Sequence, residues 1–128
     1  MNASLTLLGR FGLALIFIIS GWGKITGYAG TQQYMEAMGV PGALLPLVIL
    51  LELGGGLAIA TGLFTRWIAL GMAVFSVATA AVFHANFADA AQAINFWKNV
   101  SMAGGFLVLA AHGAGAYSID GWRKRAAS

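Results

Sequence analysis

Residues 44–63 read LLPLVILLELGGGLAIATGL, a run in which Glu52 is the sole charged residue. A helix rises about 1.5 Å per residue, so a segment this long spans the roughly 30 Å of bilayer hydrocarbon. Glu52 then lies at least about 12 Å from either edge of the hydrocarbon. A charged acid at that depth costs on the order of 3 kcal/mol on insertion scales, and it must face protein or water. Gly55 and Gly56 follow it by three and four residues, placing small residues on the same helical face, where another backbone can approach closely. Gly54, Ala58 and Gly62 form an adjoining small-residue stripe.

Three further stretches are apolar enough to cross a membrane, at residues 5–25, 67–84 and 97–114. The expected fold is therefore all-α: an integral membrane bundle of four transmembrane helices in up-down order, the 128 residues forming one domain. Composition agrees, with 59% hydrophobic and 9% charged residues; a soluble domain carries about a quarter charged. The apolar run after Arg10 ends without a small-x-small cleavage pattern and reads as a retained first helix rather than a signal peptide.

The connections differ in character. Residues 26–42 are polar, with Tyr34, Met35, Met38 and Val40 at helical spacing before Gly39 and Pro41, and predict a short helix on the membrane surface. Phe64, Thr65 and Arg66 make a tight turn that forces the second and third helices to be antiparallel neighbours. Residues 85–96 read as a loop. With both termini cytoplasmic, the inner side collects Arg10, Arg66, Arg123, Lys124 and Arg125, against Lys24 and Lys98 outside. Trp22 and Trp97 then mark the outer interface, and Trp67 and Trp122 the inner one.

The chain has no cysteine, which removes disulfides, thiolate metal sites, iron–sulfur clusters and CxxC redox chemistry. Seven basic residues, mostly isolated, do not make a nucleic-acid surface. His84 and His112 fall at opposite leaflets and cannot both ligate one haem, and no metal site is expected.

The candidate functional residues fall into three sets. Arg10, Lys24 and Glu52 form a candidate intramembrane polar network, with Arg10 the expected partner of Glu52 across a vertical gap on the order of 9 Å and Lys24 the alternative. The pair either locks the bundle or leaves Glu52 a direct functional role. Trp22, His84, Lys98 and Asn99 form a candidate ligand pocket at the outer face, suited to a polar head group such as a quinone carbonyl; the alternative is a set of interfacial anchors. Gly54, Gly55, Gly56, Gly62, Gly104 and Gly105 are expected at helix contacts. Asp120 is expected to act as a cap or as a partner of Arg123.

Several of these residues fall in an order that resembles the DoxX family of small bacterial membrane proteins. They are Arg10, the run Ser20, Gly21, Trp22, Gly23 and Lys24, then Glu52 before Gly54, Gly55 and Gly56, then Gly62 through Arg66 and His84. Lys98 and Asn99 with Gly104 and Gly105 follow, and Gly113, Gly115, Ser118 and Asp120 close the pattern. The resemblance implies a four-span protein of the bacterial cytoplasmic (inner) membrane. The family takes its name from a subunit associated with quinone-linked oxidation, and other members are linked to thiol or quinone stress beside partner proteins. It assigns no catalytic residues to carry over.

The expected function is a redox-associated membrane subunit that binds a quinone or supports a partner oxidoreductase, alone or as a homo-oligomer in the lipid bilayer. With no redox centre of its own in the sequence, catalysis by this chain alone is not expected. The alternatives are a scaffold or assembly factor, and, ranked last, a small proton-coupled transporter, since the basic residues can neutralise Glu52.

Overall fold

The computed structural model describes residues 2–127, and all regular structure among them is helical. Helix α1 (Asn2–Thr26) contains no proline and runs 25 residues before the chain bends at Gly27 into α2 (Tyr28–Ala37). As the sequence predicts, α2 stops at Gly39, whose φ of +81° suits a residue without Cβ, followed by Pro41.

The second long stretch, Gly42–Thr61, is not a uniform helix. It starts as a 3-10 turn at Gly42–Leu44, continues as α3 (Leu45–Ile49), widens into a π turn at Leu50–Gly54, and resumes as α4 (Gly55–Thr61). Gly62 closes it in the left-handed region, φ +72°. Helix α5 (Thr65–Phe83) begins after only Gly62, Leu63 and Phe64, so Thr65 and Arg66 belong to the helix rather than the turn. Helix α6 (Ala90–His112) starts seven residues before the expected boundary at Trp97. Asp89 sets that start: its Oδ1 accepts from Ala91 N at 2.9 Å and Gln92 N at 3.4 Å, a side-chain N-cap that outweighs the polarity of the first two turns. Helix α7 (Ile119–Ala127) buries none of its residues.

Glycines set how α1 meets the second stretch. A Cβ at Gly21 would stand 2.9 Å from Leu53 N, and one at Gly56 would stand 2.9 Å from Ile18 Cγ1 and 3.3 Å from Ala14 O. The two helices thus run antiparallel with backbones nearly in contact. Helices α5 and α6 form the other close pair. Between the pairs lies the core, where Phe17 of α1 meets Phe106 of α6 at 5.6 Å and Phe75 of α5 at 6.4 Å between ring centroids.

The outside of the fold is apolar: Trp67 is 78% exposed, Val74 70% and Leu50 67%. Water does not tolerate that much continuous apolar surface, and lipid does. Asn2–Thr26, Gly42–Thr61 and Thr65–Phe83 each have the length and apolar composition of a membrane span. Helix α6 is 23 residues long but carries Gln92, Asn95, Lys98 and Asn99 in its first half, and the reason for those residues lies in the site below.

Candidate functional site

Glu52 sits in the π turn and is 4% exposed. Its Oε1 lies 2.8 Å from Lys24 Nζ, and the same ammonium donates to Ser20 Oγ at 2.7 Å, one turn back along α1. This corrects the expectation that Arg10 is the partner. The close approaches at Gly21 and Gly56 fix the register of the two helices, and in that register Glu52 is level with the last turns of α1, while Arg10 is level with the end of α4. An ion pair in so apolar a setting is retained only if the buried carboxylate stays compensated, and the Lys24 side chain, 26% exposed, does this from the edge of the site.

The pair lines a cavity of about 660 Å³ bounded by α1, α2, the second stretch, α5 and α6. His84, Lys98 and Asn99 also line it, so members of two of the expected residue sets share one space, while Arg10 and Trp22 lie outside it. His84 Nδ1 lies 2.6 Å from Gln92 Oε1; with the amide oxygen accepting, a neutral imidazole keeps a free lone pair on Nε2. Asn99 Nδ2 donates to Thr79 Oγ1 at 3.0 Å, joining α6 to α5. Lys98, at the rim, has no hydrogen bond or ion pair among the described residues. Phe17, Phe75, Val48 and Met102 give the cavity its apolar lining. Tyr34 of α2 stacks on Phe83 of α5 at 5.5 Å and ties the short helix across the top. A space lined by donors and acceptors together with aromatic and aliphatic side chains fits a flat, largely apolar molecule with polar substituents. Asn95, Lys98 and Asn99 of the polar first half of α6 therefore line the cavity, and Gln92 is tied to it through His84.

Over residues 5–85 the chain matches the family model described as DoxX. The chain belongs to the DoxX family. It is 61% identical over 114 residues to the inner membrane protein YqjF of Escherichia coli K12, which covers 89% of this chain and 88% of that protein. Inner membrane protein YphA of the same organism is 41% identical over 123 residues, with 91% and 88% covered. A Bacillus subtilis protein named "Putative oxidoreductase CatD" is 36% identical over 61 residues, 48% of this chain and 46% of that one. No solved structure matches. With relatives named for that membrane and several helices able to cross it, this DoxX protein is a multi-pass protein of the bacterial inner membrane. The DoxX match contains Lys24, Glu52 and His84, whereas Lys98 and Asn99 lie beyond it on α6.

In this DoxX protein Arg10 serves a different part of the fold. It is 1% exposed, and its guanidinium donates to Tyr117 O and, at 3.4 Å each, to Ile59 O and Ala60 O. It thus adds a donor at the carbonyl end of α4, where Ile59 O also accepts from Gly62 N at 3.2 Å. Gly62 must be glycine there, because a Cβ would collide with Arg10 Nη1 and Ser118 Cβ. Asp120 completes this clasp: Oδ1 accepts from Phe64 N and Oδ2 from Thr65 N, both at 2.8 Å, and its own amide donates to Gly62 O at 2.9 Å. It is a cap, but for a helix far away in the chain, and Arg123 instead stacks 5.1 Å from the centroid of Phe64. Trp22 does not line the cavity and is 61% exposed, as an interfacial anchor would be. Gly55 and Gly105 stand against Met72 and Leu13, but a Cβ at Gly104 would meet nothing within 4 Å and one at Gly54 only its own helix's Leu50. Sequence reasoning missed Ser20, Thr79, Asn95 and Tyr34 as cavity residues. Ser20 carried one signal, its position one turn before Lys24.

Proposed function

We propose that the protein is a redox-associated membrane subunit that holds a quinone-type ligand in the cavity beside the Lys24–Glu52 pair and presents it to a partner oxidoreductase. The observation that carries this reading is that Lys24, Glu52, His84, Lys98 and Asn99 line one cavity together with aromatic and aliphatic side chains. Ammonium and amide donors there match a ring carbonyl, the carboxylate and the imidazole lone pair match a hydroxyl of the reduced ring, and the aromatic walls match its faces. The name of the Bacillus subtilis relative points to the same class of chemistry. In this reading the whole chain is one membrane domain, α6 is the fourth span, and both termini are cytoplasmic. The charge distribution supports that topology, and it puts the cavity in the outer half of the bilayer. The test is purification in mild detergent followed by mass spectrometry of the extracted lipids. Quinone near one equivalent, reduced severalfold in Lys98→Met and Glu52→Gln, supports the reading. A quinone-free protein that co-purifies with one partner supports a scaffold instead, a role that the clasp around Arg10 would also serve.

A further inference from the structure

A second hollow of about 540 Å³ lies between α1 and α6, lined by Gly12, Leu13, Ile94, Trp97 and Ser101 together with Ile16, Lys98 and Met102. The last three residues also line the main cavity, so the two spaces adjoin. A Cβ at Gly12 would meet nothing within 4 Å, so the hollow is open there. It faces outward, where Trp97 and Ile94 are exposed, and its lining is apolar apart from Lys98 at the shared edge and the Ser101 hydroxyl. From Lys24 to Gly12 along α1 is about 18 Å at helical rise, so the path leads from the ion pair towards the middle of the first helix. On the other side of the cavity, α2 closes the top through the Tyr34–Phe83 stack.

We infer that the α1–α6 hollow is a lateral portal that holds the hydrocarbon chain of the ligand, so that the ligand is a chain-bearing amphiphile entering from the lipid. This rests on the quinone reading for the head group and adds the part of the molecule that recognises the tail. The occupant follows from the adjacency of the two spaces, which share Ile16, Lys98 and Met102: an apolar groove open to the hydrocarbon beside a cavity with polar lining fits one molecule with a polar ring and an apolar chain. Lys98 stands where the two spaces meet and contacts the ring end, while Gly12, Leu13 and Trp97 contact the chain. A soluble ligand of the same ring chemistry would leave the hollow to bulk lipid.

The experiment uses the full chain in detergent and two quinones with the same ring, decylubiquinone and tail-less ubiquinone-0, titrated by quenching of tryptophan emission. Gly12→Phe and Ser101→Phe each fill the hollow from a position with room for the ring. Gly71→Phe, on α5 and likewise in open space, controls for an aromatic added elsewhere. Each portal variant is expected to weaken decylubiquinone by about tenfold or more, since a few buried methylenes are worth that much. Ubiquinone-0 is expected to stay within about twofold, and Gly71→Phe to leave both unchanged. If the portal variants leave decylubiquinone affinity unchanged, the hollow holds only bulk lipid and the portal is refuted. If they weaken both quinones equally, the substitutions deform the cavity and the portal is refuted as well. If neither quinone binds the unmodified protein, the quinone reading itself fails, an outcome distinct from the other two.

Discussion

Lys24 and Glu52 are unequal partners, and their substitution should show it. The carboxylate is buried, while a quarter of the lysine side chain is exposed. Lys24→Met strands a charge in a medium of low dielectric and is expected to cost about 2–3 kcal/mol, the low end for a buried pair. Glu52→Gln leaves an ammonium that still bonds Ser20 and meets solvent, and should cost about 1 kcal/mol. In a double-mutant cycle on thermal stability in detergent, the double variant is expected to recover most of the Lys24→Met loss; strictly additive losses would refute the coupling. Asp120 supplies a second prediction at this scale. Asp120→Ala removes both acceptors for the amides that open α5 and should destabilise by about 1–2 kcal/mol, while Arg123→Ala, which loses an exposed ring contact, should cost less than about 1 kcal/mol. Equal losses would put the clasp in doubt. The cost of Glu52 was legible from its depth in an apolar run. Its partner was not, because two cations on α1 flank it and only the register of two helices selects between them.

At the scale of elements, the second long stretch departs most from expectation. Residues 50–54 hold three leucines, Glu52 and a glycine, a composition in which nothing local asks for a π turn. The widened turn lies where Leu53 passes over Gly21, and it carries the glutamate to the cavity wall, in keeping with the tendency of π turns to occur at functional positions. The glycines around it are not equivalent. Gly56→Leu must push against Ala14 O and Ile18 N, atoms of a helix backbone that cannot swing aside, and is expected to cost at least about 1–3 kcal/mol. Gly104→Leu projects into open space and should stay within about 0.5 kcal/mol. Melting temperatures of the two variants in detergent make the comparison. A large loss at Gly104 would mean that another subunit covers that face of α6. From sequence both glycines look alike, since a small residue in an apolar helix marks a close approach without saying which side is approached.

At the scale of the molecule, the proposed four-span topology can be tested because the chain has no native cysteine. Single cysteines at Gln33 and Asn86 should react with an impermeant thiol reagent added to cells whose outer membrane is permeable to it, and one at Ala126 should react only after the inner membrane is opened. Labelling of Ala126→Cys alone in intact cells would invert the topology, and labelling of Asn86→Cys together with Ala126→Cys would mean that α6 does not cross. What the sequence by itself determined is the solvent of this protein and its all-helical class. Both follow from sums along the chain, the apolar content of about twenty consecutive residues and the positions of glycine and proline, and sums of that kind need no partner. What only the tertiary structure decided is every pairing: Lys24 rather than Arg10 with Glu52, Asp120 with the start of α5, the polar half of α6 with the cavity, and Trp22 outside it. Pairings depend on the relative rotation and register of helices, which are set by a few contacts at Gly21, Gly56 and Gly62, where the absence of one carbon atom lets two parts of the chain meet.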